Sequence, residues 1–278
     1  MPETISPETM DHWKSWIGKT ETRTETLCPE ILRRFAAATD ADLNVQENLP
    51  PLAHWAFFLP IAPSDKIGED GHPLRGGFVP PVTLAQRMFA SANITLLAPL
   101  QLGLKATMHS EITDIKYRSG KSGELVFMEV MRTISQKNKS CITEQQTIVF
   151  KHGGDVIPPV EVISQPTGIN DELWTPGPVE LFRFSAVTFN SHRIHYDVPY
   201  ATGEEGYPGL VVHGPFTAIK LYGHAEKHLD APLKSFRFRA SAPLFVGQEI
   251  ILTAGKDDGE YSALRCDGTR AMTATATV

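Results

Sequence analysis

Alternating apolar and polar positions mark most of this chain as strand. The alternation runs over Gly103–Tyr117, Glu124–Gln136 and Ser140–Phe150, with the turn signals SGKSG and KNKS between them, and predicts an antiparallel meander. A shorter strand, Asn93–Ala98, precedes it. The pattern returns over Leu233–Ala242, Glu249–Ala254, Tyr261–Arg265 and Ala271–Val278, now with DDGE and CDGT turns. Thr20–Leu27 alternates threonine with charge and reads as a strand or extended segment. Helical spacing places Ile31, Leu32 and Phe35 on one face of a helix that Pro29 starts. Phe216–Leu229 is a second amphipathic run, opened by Gly214-Pro215, where a proline in the first turn loses no hydrogen bond. Trp13–Ile17 and Val82–Ala92 predict short helices. Phe182, Phe184 and Ala186 alternate with Arg183 and Ser185 and predict a strand. Leu52–Leu59 is a dense apolar run between prolines, compatible with a buried strand or a short helix.

Two of these patterns repeat. Ala98-Pro-Leu-Gln-Leu-Gly103 and Ala242-Pro-Leu-Phe-Val-Gly247 are near copies, each behind an alternating strand and ahead of a meander. Matched wording in matched places argues for a duplication, with a period too long for a solenoid. The expected organisation is an N-terminal half (1–155), a linker (156–178) rich in glycine and proline, and a C-terminal half (179–278). Where the second half has His213-Gly214, the first is expected to carry Pro80-Pro81. One active site per chain is expected, built by the second half and roofed by the first.

Composition narrows the function. Apolar residues make up 41% and charged residues 21%, as in soluble globular proteins. A net charge of −6 and no basic block disfavour nucleic acid as a partner. No apolar run approaches the roughly 20 residues that span a bilayer. Cys28, Cys141 and Cys266 are scattered, which suits structural thiols in a reducing compartment. The acidic N-terminus resembles neither a signal nor a transit peptide, so the expectation is a cytoplasmic protein.

The candidate chemistry lies between Phe184 and Ala218. His192, His195 and His213 fall there, in and beside a polar loop punctuated by Pro199 and Pro208. Their spacing lacks the four-residue step of a helical metal pair, and no carboxylate or cysteine is obviously placed with them, so no metal is expected. Gly214 opens a helix, where a free N–H in the positive end of the dipole suits a developing oxyanion. Arg75, in the glycine-flanked loop Ser64–Gly77, and Arg193 are candidate cations for an acidic substrate.

The run Thr188-Phe189-Asn190-Ser191-His192-Arg193-Ile194-His195 resembles the motif of the MaoC-like hydratases and dehydratases of the hotdog fold. That motif is a small residue, Gly, Asp, any residue, Asn, Pro, an aliphatic and His. The wording TFN-x-HRIHYD is closer to the type 2 hydroxyacyl-thioester dehydratases. The resemblance implies an α+β double hotdog, in which antiparallel sheet wraps two helices. It puts the catalytic histidine on His195 and the family's aspartate on Asn190, a departure. An amide cannot take a proton, but it can hold the water that His195 deprotonates. The family's aliphatic-aliphatic-His-Gly falls on Val211-Val212-His213-Gly214.

The opening WIGKTETRTETL and the RGGF-V-PP segment resemble bacterial members acting on itaconyl-CoA and mesaconyl-CoA. The implied activity is addition of water to a short dicarboxylyl-CoA, giving citramalyl-CoA. His195, Asn190 and Gly214 would be catalytic, and Arg75, Arg193, His213 and Tyr196 substrate-binding. Coenzyme A would be part of the substrate, with no further cofactor, no membrane partner, and room for a homodimer. The alternatives are a 3-hydroxyacyl-thioester dehydratase of fatty acid synthesis and a non-catalytic acyl-thioester binding protein.

Overall fold

The computed structural model describes residues 5–41, 43–44, 48–120, 123–153, 156–163 and 167–278. Ten strands form one antiparallel sheet, ordered β1-β3-β4-β5-β2-β7-β10-β9-β8-β6. The first half supplies β1 (Thr20–Thr26), β2 (Gln86–Leu96), β3 (Lys105–Gly120), β4 (Gly123–Gln136) and β5 (Lys139–Lys151). The second supplies β6 (Glu172–Trp174), β7 (Ser235–Ala240), β8 (Ile250–Ala254), β9 (Glu260–Leu264) and β10 (Arg270–Thr277). The two halves join where β2 pairs with β7. Each half reads the same way outward from that seam, as a duplication requires.

The seam carries the symmetry in its register. Asn93 faces Arg237. Asn93 lies five residues before Ala98 of the first repeat, and Arg237 five before Ala242 of the second. Equivalent residues therefore pair with each other, and a local two-fold axis passes between them. The repeated segments make equivalent bonds. Gly103 (φ 76°) and Gly247 (φ 75°) both sit in the left-handed region, which glycine enters without a Cβ penalty. Their N–H groups donate to Leu27 O and Pro176 O, each at 2.8 Å. Each acceptor lies just before a helix: α2 (Pro29–Thr39) in the first half and α3 (Pro178–Val187) in the second. These two helices pack on each other.

Helical filling is unequal. In the second half α5 (Gly214–Leu229) lies across the sheet and buries Phe216, Ala218, Leu221, Tyr222 and Ala225. Fully burying a large apolar side chain contributes about 1.5–3 kcal/mol, so this face is a main source of stability. The first-half equivalent is set by hydrogen bonds: Val212 N–H donates to Leu244 O and Leu49 N–H to Leu100 O, at matching repeat positions. The counterpart of His213-Gly214 is therefore Pro50-Pro51, not Pro80-Pro81. In place of a long helix, the chain directly after Pro51 makes a 3-10 turn, Ala53–Ala56. Buried Glu144 anchors that turn, accepting from Trp55 Nε1 at 3.0 Å and pairing with His54 Nε2 at 3.2 Å.

Several local expectations are corrected. The helix expected over 82–92 is strand β2, held between β5 and β7. The strand expected over Phe182–Ala186 is helix α3. Leu181, Phe184 and Ser185 point inward at helical spacing while Phe182 is left exposed, and Glu180 caps the helix by accepting from Gly177 N–H at 2.6 Å. The first helix is α1 (Pro7–Lys14), capped by Ser6, so Trp13 closes it rather than starting one. A three-residue strand, β6, lies inside the segment expected to be linker. No helix among the described residues is long and apolar enough to cross a membrane.

Candidate active site

The loop after α3 is set by its first two residues. Thr188 ends α3, and Phe189 turns the chain with φ 48°, the left-handed conformation that the motif's glycine would adopt freely. Asn190 is next, and its Oδ1 accepts from His192 N–H at 3.0 Å, closing a side-chain turn. A 3-10 turn, Arg193–His195, then carries His195 inward, and α4 (Val198–Gly203) starts beyond it with Asp197 as its cap.

His195 is buried. Its Nδ1 lies 2.7 Å from Val211 O. A carbonyl only accepts, so Nδ1 carries the proton and Nε2 is the basic atom. Burial, then the neighbouring His213 and His192, holds the imidazole well below the usual histidine range, so it is neutral at pH 7. The His213 ring stacks on it with centroids 3.6 Å apart and planes at 20°. His213 is fully buried, and burial pushes it down to about 3. Its Nε2 and the Ser185 hydroxyl are 2.8 Å apart. His213 thus backs the His195 ring.

Gly214 begins α5 directly after His213, and among the described residues no group accepts from its N–H. A Cβ at Gly214 would stand 3.5 Å from Phe89 O, so strand β2 passes close to this helix N-terminus.

The first half reaches the site through Glu69–His72. Arg193 N–H donates to Asp70 O at 3.0 Å and Arg193 Nη1 to Glu69 O at 3.1 Å, while the Ser191 hydroxyl donates to Gly71 O. Gly71 (φ 89°) has no room for a side chain, since a Cβ would meet Ser191 O at 1.8 Å. Behind it the His72 ring packs on His192 with centroids 4.2 Å apart, and His192 meets His195 edge-on at 5.4 Å. His72 Nδ1 lies 3.1 Å from Asp70 Oδ2. Burial drives His72 down to about 3, so it is neutral and donates Nδ1–H to an ionised Asp70. Burial alone would raise the Asp70 carboxyl, but its contacts with His72 outweigh that and keep it below the usual range.

The remaining sequence candidates are engaged elsewhere. Arg75 donates to the carbonyls of Val82, Leu84 and Ala85 and covers the Phe150 ring, which fixes the start of β2. Arg193 is paired with Asp197 at 2.8 Å and stacks on Tyr200. Tyr196 is exposed and donates to Ser191 O. The His72, His192, His195 and His213 rings form one chain of contacts beside Gly214, Asn190 is tied to the backbone of His192, and the two arginines tie loops together. Sequence reasoning missed Asp70, His72 and Ser185. A signal existed for the first two, in the long loop Ser64–Gly77, but their partners are over a hundred residues away. Among the described residues no group of three His, Cys, Asp or Glu is arranged to hold a metal ion.

A helix N-terminus beside a buried neutral histidine, in a duplicated helix-on-sheet fold, is the arrangement of a hotdog-fold hydratase or dehydratase. Solved structures share the fold. HtdX of Mycobacterium tuberculosis aligns with a TM-score of 0.66 at 18% identity, covering 93% of this chain and 99% of that one. A MaoC-like dehydratase of Phytophthora capsici gives 0.66 at 16% identity, covering 97% of each. A double-hotdog protein of M. tuberculosis gives 0.55 at 11%, covering 94% and 95%. Residues 52–246 match the hydroxyacyl-thioester dehydratase type 2 family, and the chain belongs to it. The mesaconyl-C(4)-CoA hydratase of Chloroflexus aurantiacus is 42% identical over 273 residues, 95% of this chain and 96% of that protein. The mitochondrial hydroxyacyl-thioester dehydratase type 2 of Schizosaccharomyces pombe is 24% identical over 230 residues, 73% of this chain and 76% of that protein.

Proposed function

We propose that this enzyme adds water to a short dicarboxylyl-CoA thioester, taking mesaconyl-C4-CoA or itaconyl-CoA to citramalyl-CoA. The observation that carries the chemistry is the neutral His195 with its proton fixed on Nδ1. The 42% identity to a mesaconyl-C(4)-CoA hydratase supports the substrate.

In mesaconyl-C4-CoA the double bond is conjugated to the thioester. His195 Nε2 takes a proton from water, which Asn190 holds through its amide. The hydroxide adds to the β-carbon, and the electron pair moves to the thioester oxygen. Gly214 N–H, in the field of the α5 N-terminus, stabilises that enolate. The proton held on Nε2 then passes to the α-carbon, so both groups arrive from one face. Itaconyl-CoA has its double bond one carbon further out, and the thioester does not activate it there. Removal of an α-proton by His195 Nε2 gives the same kind of enolate, and return of that proton to the γ-carbon moves the double bond into conjugation, so the same base and oxyanion site serve both steps. Coenzyme A arrives as part of the substrate, and the reading needs no further cofactor.

The test is hydration of mesaconyl-C4-CoA, itaconyl-CoA and crotonyl-CoA by the purified protein, monitored by loss of enoyl absorbance and by mass. The expected result is citramalyl-CoA from at least one dicarboxylyl substrate, with kcat/KM above that for crotonyl-CoA. Preference for long 3-hydroxyacyl thioesters would place it with the fatty-acid dehydratases. Binding without turnover would make it an acyl-thioester carrier.

A further inference from the structure

The free carboxylate of such a substrate needs a cation or several donors, because burying it unpaired is costly. Both Nη atoms of Arg75 donate to backbone carbonyls, and Arg193 is paired with Asp197. Arg87 differs from both. No hydrogen-bond or ion-pair partner meets its guanidinium among the described residues. It keeps partial solvent contact although protein encloses it, as a side chain lining a cleft does.

Its position is fixed by the register of β2. Arg87 pairs with Phe150, Phe89 with Ile148 and Ala92 with Gln146. Phe150, Ile148 and Gln146 alternate along β5 and share one face, so Arg87, Phe89 and Ala92 share it too. The irregularity between Phe89 and Ser91 is what keeps Phe89 and Ala92 on the same side. That face points into the core: Ala92 is buried, and Phe89 packs against Trp55 and Phe238. Phe89 O stands beside Gly214. Arg87 is two residues along the same strand, about 7 Å in strand rise, within the reach of an arginine side chain.

The electrostatic surroundings answer the charge only in part. Burial, then repulsion from Arg75, lowers the Arg87 guanidinium to about 10, with Asp70 opposing and Arg132 adding to the depression. Asp70 is already hydrogen-bonded to His72. Arg132 sits in the fields of two anions, Glu144 and Glu21, whereas Arg87 feels Asp70, whose carboxylate is already engaged by His72. Arg87 also acts on His72, whose ring leads through His192 to His195.

We infer that Arg87 is the residue that binds the free carboxylate of the dicarboxylyl group, when the thioester oxygen lies at Gly214. This rests on the substrate reading above. In mesaconyl-C4-CoA the β-carbon carries the carboxylate trans to the thioester; crotonyl-CoA has a methyl in that place and no second β-substituent. Comparing the two separates the carboxylate contact from the addition chemistry they share.

The experiment compares Arg87→Met and Arg87→Lys with the parent on mesaconyl-C4-CoA and crotonyl-CoA. The ratio of kcat/KM, dicarboxylyl over crotonyl, is expected to fall roughly a hundredfold in Arg87→Met, as for loss of a charged partner. Lysine should recover part of it, since it keeps the charge but loses the planar fork. Thermal denaturation without ligand is expected to show Arg87→Met at or above the parent Tm, because an enclosed, unpaired cation is removed. An unchanged ratio in a folded variant overturns the assignment of Arg87 and leaves the substrate reading intact. A parent that hydrates crotonyl-CoA but no dicarboxylyl-CoA overturns both. A marked fall in Tm with equal losses on the two substrates makes Arg87 a structural residue and also overturns the inference.

Discussion

His195 and His213 stack face to face in the interior, with centroids 3.6 Å apart, and each is fixed at its other edge: His195 by Val211 O and His213 by Ser185. Burial disfavours charge on either ring, and the neighbouring histidines add to it, so the pair is neutral at pH 7. That gives His195 Nε2 an available lone pair at any physiological pH.

Replacing His195 by Ala should lower kcat by roughly a hundredfold to ten-thousandfold, the span of general acid–base groups. Folding and thioester affinity should persist. Steady-state kinetics with calorimetric binding of substrate analogues checks this, and near-parent turnover would remove His195 from the chemistry.

The same depression shapes the pH profile. Because the His195 pKa is well below 6.5, the base stays unprotonated as pH falls through that value. The profile of kcat/KM should be flat from pH 8 down to pH 6.5 and below, with its acid limb displaced from the position of an ordinary histidine. An inflection at the ordinary position would show that the base is exposed, or is another group.

Stability should be more sensitive than activity at low pH. His195, His213 and His72 are neutral in the folded state, with His213 and His72 lowered to about 3, while the unfolded chain takes protons near 6.5. Below that unfolded value the unfolded state binds more protons, so stability falls with falling pH until the folded values are reached. Each group contributes up to about 1.4 kcal/mol per pH unit in that window. Urea midpoints between pH 7 and 5 should fall steeply, and Ser185→Ala or His213→Phe variants test the share of this pair.

Gly71→Ala should damage catalysis from outside the chemistry. The added methyl meets Ser191 O, and φ 89° is strained for alanine. The loop must lift off, which removes the Arg193 N–H to Asp70 O bond and frees the His192 ring from His72. A fall in kcat of at least tenfold with an intact circular dichroism spectrum is expected. Parent-like kinetics would mean that the roof does not matter.

Asn190 separates two roles. Its Oδ1 already holds His192 N–H, so Asn190→Asp keeps the turn while Asn190→Ala loses it. If the amide also holds the attacking water, Asn190→Ala should lower kcat by more than its loss in Tm accounts for. Equal kinetics in all three proteins would leave Asn190 a turn residue.

How much of this the sequence could tell depends on distance along the chain. The loop 188–195, the helix behind Gly214 and the duplicated Ala-Pro-Leu segments are local patterns, and all were legible. Helix α3 was not, because the alternation of Phe182, Phe184 and Ala186 fits a strand, while the residues that set the helix, Leu181 on its buried face and the capping Glu180, lie outside that window. Strand β2 was misread because Pro80-Pro81 resembles a helix start, whereas the sheet on both sides decides its conformation. The clamp of Glu69–His72 on the catalytic loop joins segments 120 residues apart at Gly71 and Ser191. Arg87 carries no motif at all, and only the register of its strand gives it meaning.

The pairing of Asn93 with Arg237 has a further consequence. A symmetric dimer must build every feature twice, so a substitution that reshapes one pocket spoils its twin. Here the two-fold axis runs through a single chain, and the twins are separately encoded. The first copy could give up its long helix and its histidines without loss to the second. Its Pro50-Pro51, its Glu144-anchored turn and its glycine-flanked loop are free to specialise as the wall of a neighbour's site. Separate encoding lets one copy keep the histidine loop while the other is shaped as its wall.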